Sequence, residues 1–133
     1  MITRGRYAYC VLNLFPYNNG HTLVVPYRHV GDPGALTEQE WLDLWRLTAD
    51  LLRRMKKVFS PHGFNLGINL GRPAGAGIPK HLHLHVVPRW IGDTNFMPIF
   101  TDTRVISQSL ASARRLLADA GTKKRKRPAR RRN

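Results

Sequence analysis

The sequence predicts an α+β domain: one antiparallel sheet of about five strands, with a long helix covering one face. Two observations predict it. Residues 37–59 carry apolar side chains at helical spacing, and short period-two segments bounded by turn residues lie on both sides of that stretch.

The elements follow in chain order. Residues 7–14, Tyr-Ala-Tyr-Cys-Val-Leu-Asn-Leu, are rich in β-formers and read as a strand. Period two puts Tyr9, Val11 and Asn13 on one face and Ala8, Cys10 and Leu12 on the other. Pro16-Tyr17-Asn18-Asn19-Gly20 is turn chemistry, and His21 to Val25 is a short return strand closed by Pro26. Thr37-x-x-Glu40 is a capping box with Leu36 and Trp41 at the staple positions. The helix it opens keeps a stripe through Trp41, Leu44, Trp45, Thr48, Leu51, Leu52, Met55, Val58 and Phe59 up to Pro61. Residues 64–69 alternate as a strand, and the glycine-rich stretch from Leu70 to Pro79 reads as a loop of close approach. His81 to Val87 is the next strand, ended by Pro88. Residues 104–118 form a second helix through Val105, Leu110, Ala113, Leu116 and Leu117.

Composition narrows the function classes. No apolar run approaches the roughly 20 residues that span a bilayer, so no membrane partner is expected. The opening Met1-Ile2-Thr3-Arg4 leads into no signal-peptide stretch, and the lone Cys10 excludes an internal disulfide and a Cys-x-x-Cys knuckle. A reducing, cytoplasmic setting is the expectation. Net charge is +14, but residues 123–132 alone supply eight positive charges, leaving about +6 on the remainder. The chain therefore divides into a domain at 1–121 and a basic tail at 122–133, which is expected to be disordered. That tail is a solvated end, a non-specific nucleic-acid contact working through counterion release, or a nuclear-localisation signal.

The chemistry sits in His81-Leu82-His83-Leu84-His85-Val86-Val87. Side chains two apart on a strand share a face, so three imidazoles point one way and the leucines point toward the helix. A row of three imidazoles without nearby carboxylates is costly to bury idly. One reading is a zinc site completed by His21, although no Asp or Glu lies in the adjoining strands; another is satisfied core histidines. A third is phosphoryl chemistry: a neutral imidazole attacks phosphorus, its neighbours donate to charged oxygens, and the preceding glycine loop offers backbone N–H groups. That loop lacks the Gly-Lys-Ser/Thr ending of a Walker loop.

Position for position, this segment resembles the His-φ-His-φ-His-φ-φ signature of the histidine-triad (HIT) superfamily. Further stretches resemble it too: Leu12 to Pro16 with Gly20 to Pro26, Phe64 to Asn69 with Ala74 to Gly77, and Pro88 to Phe96. The last of these looks like the bacterial diadenosine polyphosphate hydrolases and phosphorylases related to the fragile-histidine-triad protein. The resemblance covers roughly residues 6–118 and implies a HIT-like fold, a homodimer and a covalent nucleotidyl intermediate on His83. His85 would assist the leaving group, His81 would orient the site and His21 would complete the cluster. Asn13 would hold the ribose, with Val11 near the base; Asn69, Gly75, Gly77 and Ile78 would bind phosphates, and Trp90 would wall the pocket. Asp93, Asn95 and Phe96 would shape polyphosphate selectivity. Dinucleoside polyphosphates such as diadenosine tetraphosphate are the implied substrates, with no tightly bound cofactor and no metal site beyond magnesium accompanying the substrate. Family members usually carry a segment before the hairpin, often with Cys-x-x-Cys, so this domain reads as N-terminally short. The alternative is a non-catalytic nucleotide-binding module with a nucleic-acid-binding tail. His29 and His62 read as ordinary loop residues and Cys10 as a small core residue.

Overall fold

A computed structural model describes residues 1–93 and 109–122. Five strands form one antiparallel sheet in the order β1-β2-β3-β5-β4. They are β1 (Thr3–Arg4), β2 (Ala8–Leu12), β3 (Thr22–Pro26), β4 (Gly63–Ile68) and β5 (Leu84–Arg89); the helices are α1 (Glu38–Phe59) and α2 (Leu110–Thr122). The α+β expectation holds, and β1, which the sequence pattern was too short to show, is the fifth strand.

The β2–β3 hairpin has the faces that period two assigns. Ala8, Cys10 and Leu12 are buried, and they meet Val24, Leu84 and Val86 in one core. Burial pushes the Cys10 thiol up to about 12, so it remains an inert, uncharged core group.

α1 covers that core face through Leu44, Leu47, Leu51 and Met55. Its start is the capping box: Thr37 Oγ accepts from the Glu40 N–H (3.3 Å), and the Glu40 carboxylate accepts from the Thr37 N–H (2.8 Å). Arg28 grips the same carboxylate at 2.9 and 2.7 Å and, with the cap, holds Glu40 down at about 2. The helix stops at Ser60, left-handed at φ 47°, because Pro61 cannot extend it. Trp45, assigned to the buried stripe, is half exposed; Leu47 takes the inward place.

α2 runs from Leu110 to Thr122, one residue past the expected boundary at 121, and residues 104–108 of the expected helix lie outside the described residues. Ala113 and Leu117 join the core and Arg54 donates to the Leu117 and Ala118 carbonyls, whereas Leu116 is exposed. Val105 lies outside the described residues. No helix among the described residues is long and apolar enough to cross a membrane.

Two strands differ from their expected bounds for one shared reason. Pro26 is the last residue of β3 and Pro88 lies within β5, the two paired with Ala8 and Phe64. A strand residue points its N and its O to the same side. The Pro26 carbonyl accepts from His81 and the Pro88 carbonyl from Asn18, so each missing N–H faces the β3–β5 seam beyond its last paired residues. Neither proline removes a ladder bond. At the other end, β5 begins at Leu84: His81, Leu82 and His83 are extended chain ahead of the ladder.

Candidate active site

β5 and the extended residues just before it deliver the histidines to the face opposite α1. Leu82, Leu84 and Val86 enter the core, which turns the alternate residues outward. The rings of His83 and His85 lie 5.1 Å apart between centroids, and His21 and His85 are equally close. His81 stands slightly apart, its ring 4.5 Å from that of His29.

Backbone groups decide where each proton sits. The His83 Nδ1 lies 2.8 Å from the His81 carbonyl, which only accepts, so Nδ1 carries hydrogen and Nε2 keeps its lone pair. His81 Nε2 donates to the Pro26 carbonyl (2.9 Å). At His21 the logic reverses. The Tyr17 N–H donates to His21 Nδ1 (3.0 Å), so that nitrogen accepts. The Phe15 N–H occupies Asn13 Oδ1 (3.1 Å), which turns Asn13 Nδ2 toward the same His21 nitrogen (3.3 Å). His21 therefore holds its proton on Nε2 and donates to His85 Nδ1 (2.9 Å). The remaining proton of neutral His85 is then on Nε2, which is buried and has no hydrogen-bond partner among the described residues.

Electrostatics keep the two buried rings uncharged. Burial, then the neighbouring His85 and His83, lower His21 to about 4. Burial and His83 lower His85 as well. Both rings are neutral at pH 7, and among the described residues the His83 Nε2 lone pair and the His85 Nε2–H are left without a partner on two neighbouring rings.

The other expected residues divide. Val11 pairs with Leu23, Leu23 with His85 and His85 with Gly67, giving a cross-strand row on the histidine face. A side chain at Gly67 would meet nothing within 4 Å among the described residues, so the floor beside His85 is open. Asn69 donates to the Gly75 carbonyl (3.4 Å), and the Ile78 carbonyl accepts from the His81 N–H (3.1 Å), which ties the exposed loop of Gly75, Gly77 and Ile78 to the triad. Asn13 spends its amide on His21 and Phe15. Trp90 is not brought to this group: its indole N–H donates to the Phe59 carbonyl (3.3 Å), at the end of the helix on the other face. His62 accepts from the Ile91 N–H in a loop. Asp93 accepts two bonds from Arg89, while Asn95 and Phe96 lie outside the described residues.

Sequence reasoning missed Leu23, Tyr17 and Asn18. Period two on β3 marks Leu23 once its pairing with His85 is known. Tyr17 acts through a backbone N–H and a ring stacked on His85 at 5.9 Å, neither of which leaves a compositional trace.

The comparisons agree with this geometry. The chain is 51% identical over 118 residues to the AP-4-A phosphorylase of Mycobacterium tuberculosis strain H37Rv, an alignment taking in 89% of this chain and 60% of that protein. The chain thus spans well under two thirds of the length of that relative. It is 37% identical over 86 residues to the asymmetrical bis(5'-nucleosyl)-tetraphosphatase of Schizosaccharomyces pombe, covering 65% of this chain and 47% of that one. Among solved structures it resembles a Zn-bound histidine triad family protein from Mycobacterium smegmatis, with a TM-score of 0.71 and 27% identity over 90% of this chain and 81% of that one. A hypothetical histidine triad nucleotide-binding protein from Sulfolobus tokodaii shares the fold at a TM-score of 0.73 and 24% identity, over 90% and 80% of the two chains. With the HIT domain family model matching residues 1–90, which take in the whole triad, the chain belongs to the histidine-triad family.

Proposed function

We propose that this protein cleaves the α-phosphate linkage of dinucleoside polyphosphates, with diadenosine tetraphosphate as the representative substrate. One observation carries the reading: the ring of His83, with its Nε2 lone pair, lies 5.1 Å from the ring of buried His85, whose Nε2–H has no partner among the described residues. His83 Nε2 attacks the α-phosphorus, the bond from that phosphorus to the bridging oxygen breaks, and a nucleotidyl-imidazole forms. The His85 Nε2–H donates to the departing oxygen, and His21 supports His85 from behind. Water or orthophosphate then attacks the same phosphorus and releases His83. His81 orients His83 through its carbonyl.

Supporting the substrate class are the names of the relatives and the placement of Val11, Leu23 and the glycine loop around the histidines. Asn69, Gly75, Gly77 and Ile78 are the phosphate-side residues in this reading, Val11 lies at the base and Asn13 at the ribose. Magnesium arrives with the polyphosphate, and no resident cofactor takes part. A homodimer is part of the same proposal, supported by the exposed Leu66 on edge strand β4. So is non-specific polyanion binding by the basic residues 123–132.

The test is incubation with diadenosine tetraphosphate, with and without orthophosphate. A hydrolase releases AMP and ATP; a phosphorylase releases ADP and ATP only when orthophosphate is present. Binding without either product pair would leave a non-catalytic nucleotide-binding module.

A further inference from the structure

Beyond the histidines, the same face opens into a cavity of about 320 Å³ lined by Tyr17, Asn18, Asn65, Val87, Arg89 and Asp93. That is within the range of ligand pockets, about 300–1,000 Å³. Its position follows from the strand register. Val87 stands two residues past His85 on β5, and its partner on β4, Asn65, stands two residues from Gly67, the partner of His85. Residues two apart share a face, so the cavity adjoins the site on the histidine side. Tyr17 belongs to both places: its ring lies nearly parallel to that of His85, at 9°, and also lines the cavity.

The lining chemistry selects a class of ligand. Arg89 and Asp93 neutralise each other through a two-point pair, Nε to Oδ2 at 2.6 Å and Nη2 to Oδ1 at 2.8 Å. Asn65 Oδ1 accepts from Arg89 Nη1 (2.7 Å), and Asn18 Nδ2 donates to Asp93 Oδ2 (2.9 Å). No uncompensated cation faces the space from these six residues, so a bare phosphate gains little there. An aromatic ring, an apolar Val87 and a neutral network of amides suit a heterocyclic base on a ribose, which stacks and hydrogen-bonds at its edge.

Direction adds a second argument. In-line displacement sends the leaving oxygen away from His83 Nε2, and the free His85 Nε2–H marks where it is met. Val87 lies four residues past His83, about 13 Å along an extended chain, a span that a run of phosphates bridges.

We propose that this cavity is a subsite for the second nucleoside, the half of a dinucleoside polyphosphate that departs with the leaving group. The inference rests on the proposed function and deepens it. Binding energy from this remote half, realised as the reaction proceeds, makes the enzyme favour a dinucleotide over a mononucleotide bearing the same phosphates.

The experiment compares kcat/KM for diadenosine tetraphosphate and adenosine 5'-tetraphosphate, which lacks the second nucleoside. It uses the full chain, as wild type, Asn65→Leu and Val87→Phe. The wild type is expected to favour the dinucleotide by about tenfold or more, the worth of one or two net hydrogen bonds, and each variant to bring the ratio toward one. Val87 is buried, so Val87→Phe is read beside a thermal melt; Asn65 is exposed, and its variant carries the test alone if the other fails to fold. A wild-type ratio near one, or a ratio that Asn65→Leu leaves unchanged, overturns the subsite. Turnover of neither substrate overturns the proposed function and this inference with it; equal turnover of both overturns the inference alone.

Discussion

His21 Nε2 lies 2.9 Å from His85 Nδ1, and the direction of that hydrogen bond is set outside the pair, by the Tyr17 N–H on the far side of the His21 ring. A proton added at His21 Nδ1 would face that N–H and the Asn13 amide, two donors already in place. Such a ring resists charging. Its folded value of about 4 lies below the ordinary 6.5, with burial the largest cause and His85 and His83 following. Between those values the unfolded chain binds the extra proton and the folded chain does not. Stability is therefore complete above about pH 6.5 and falls as pH drops toward 4, by at most about 1.4 kcal/mol per pH unit from this one group. Urea unfolding at several pH values should show a steeper acid loss for wild type than for His21→Gln. Parallel curves would mean that His21 is not held neutral by the fold.

His83→Ala should remove turnover by at least about a thousandfold, because the covalent step goes with the nucleophile. The side chain is outside the α1 core, so the circular dichroism spectrum should not change. Intact mass after brief mixing with substrate should show a nucleotidyl adduct on wild type and none on the variant. A variant that keeps a large share of the rate would remove His83 from its role.

The three triad positions should not be equal. His81 sets the His83 tautomer through its backbone carbonyl, which alanine retains. What His81→Ala loses is the ring anchored on the Pro26 carbonyl, a contact worth about 1 kcal/mol and so roughly a five- to tenfold rate effect. Steady-state kinetics on both alanine variants compare them directly. A His81→Ala loss as deep as that of His83→Ala would show that the imidazole itself touches the reacting groups.

Thr37→Ala should cost about 1 kcal/mol of stability by removing the acceptor for the Glu40 N–H, while leaving KM alone. The cap lies at the start of α1, on the face away from the histidines. Denaturant midpoints and substrate titrations on the same preparation would separate the two effects.

Removing residues 123–133 should leave turnover unchanged and weaken binding to duplex DNA. The cut falls after Thr122 because α2 runs to that residue. Each phosphate neutralised adds about −0.9 to the slope of log affinity against log salt, so engaging half of the eight tail charges gives a steep dependence that truncation should flatten. Equal slopes would make the tail a free end; a fall in turnover would place it at the site.

The sequence made the helix and the histidine row legible because each is a local pattern. The Thr37–Glu40 box and the leucine alternation in 81–87 each need only neighbours in the chain. What it did not show depends on contacts between distant segments. Pro26 pairs as the last residue of β3 and Pro88 sits inside β5 because their missing donors face the open end of a seam that only the assembled sheet creates. Leu116 matched the apolar spacing of α2, yet lies on the side that the Ala113–Leu117 contact turns outward. Trp90 looked like a pocket wall because it follows the triad, and its tie to Phe59 spans 31 residues. The cavity beyond His85 joins residues from the first hairpin, β4 and the end of β5, which no single motif contains.

The hydrogen bond from His83 Nδ1 to the His81 carbonyl has one more consequence. Many catalytic imidazoles borrow a distant carboxylate to settle their tautomer, and so depend on two parts of the chain keeping their relative positions. Here the orienting group is the peptide two residues back, written into the same short stretch as the proposed nucleophile. Drift elsewhere in the scaffold, at a loop or a helix end, leaves that relationship intact. The nitrogen proposed to attack is, in effect, prepared by a self-contained cassette that needs only those few residues to stay extended.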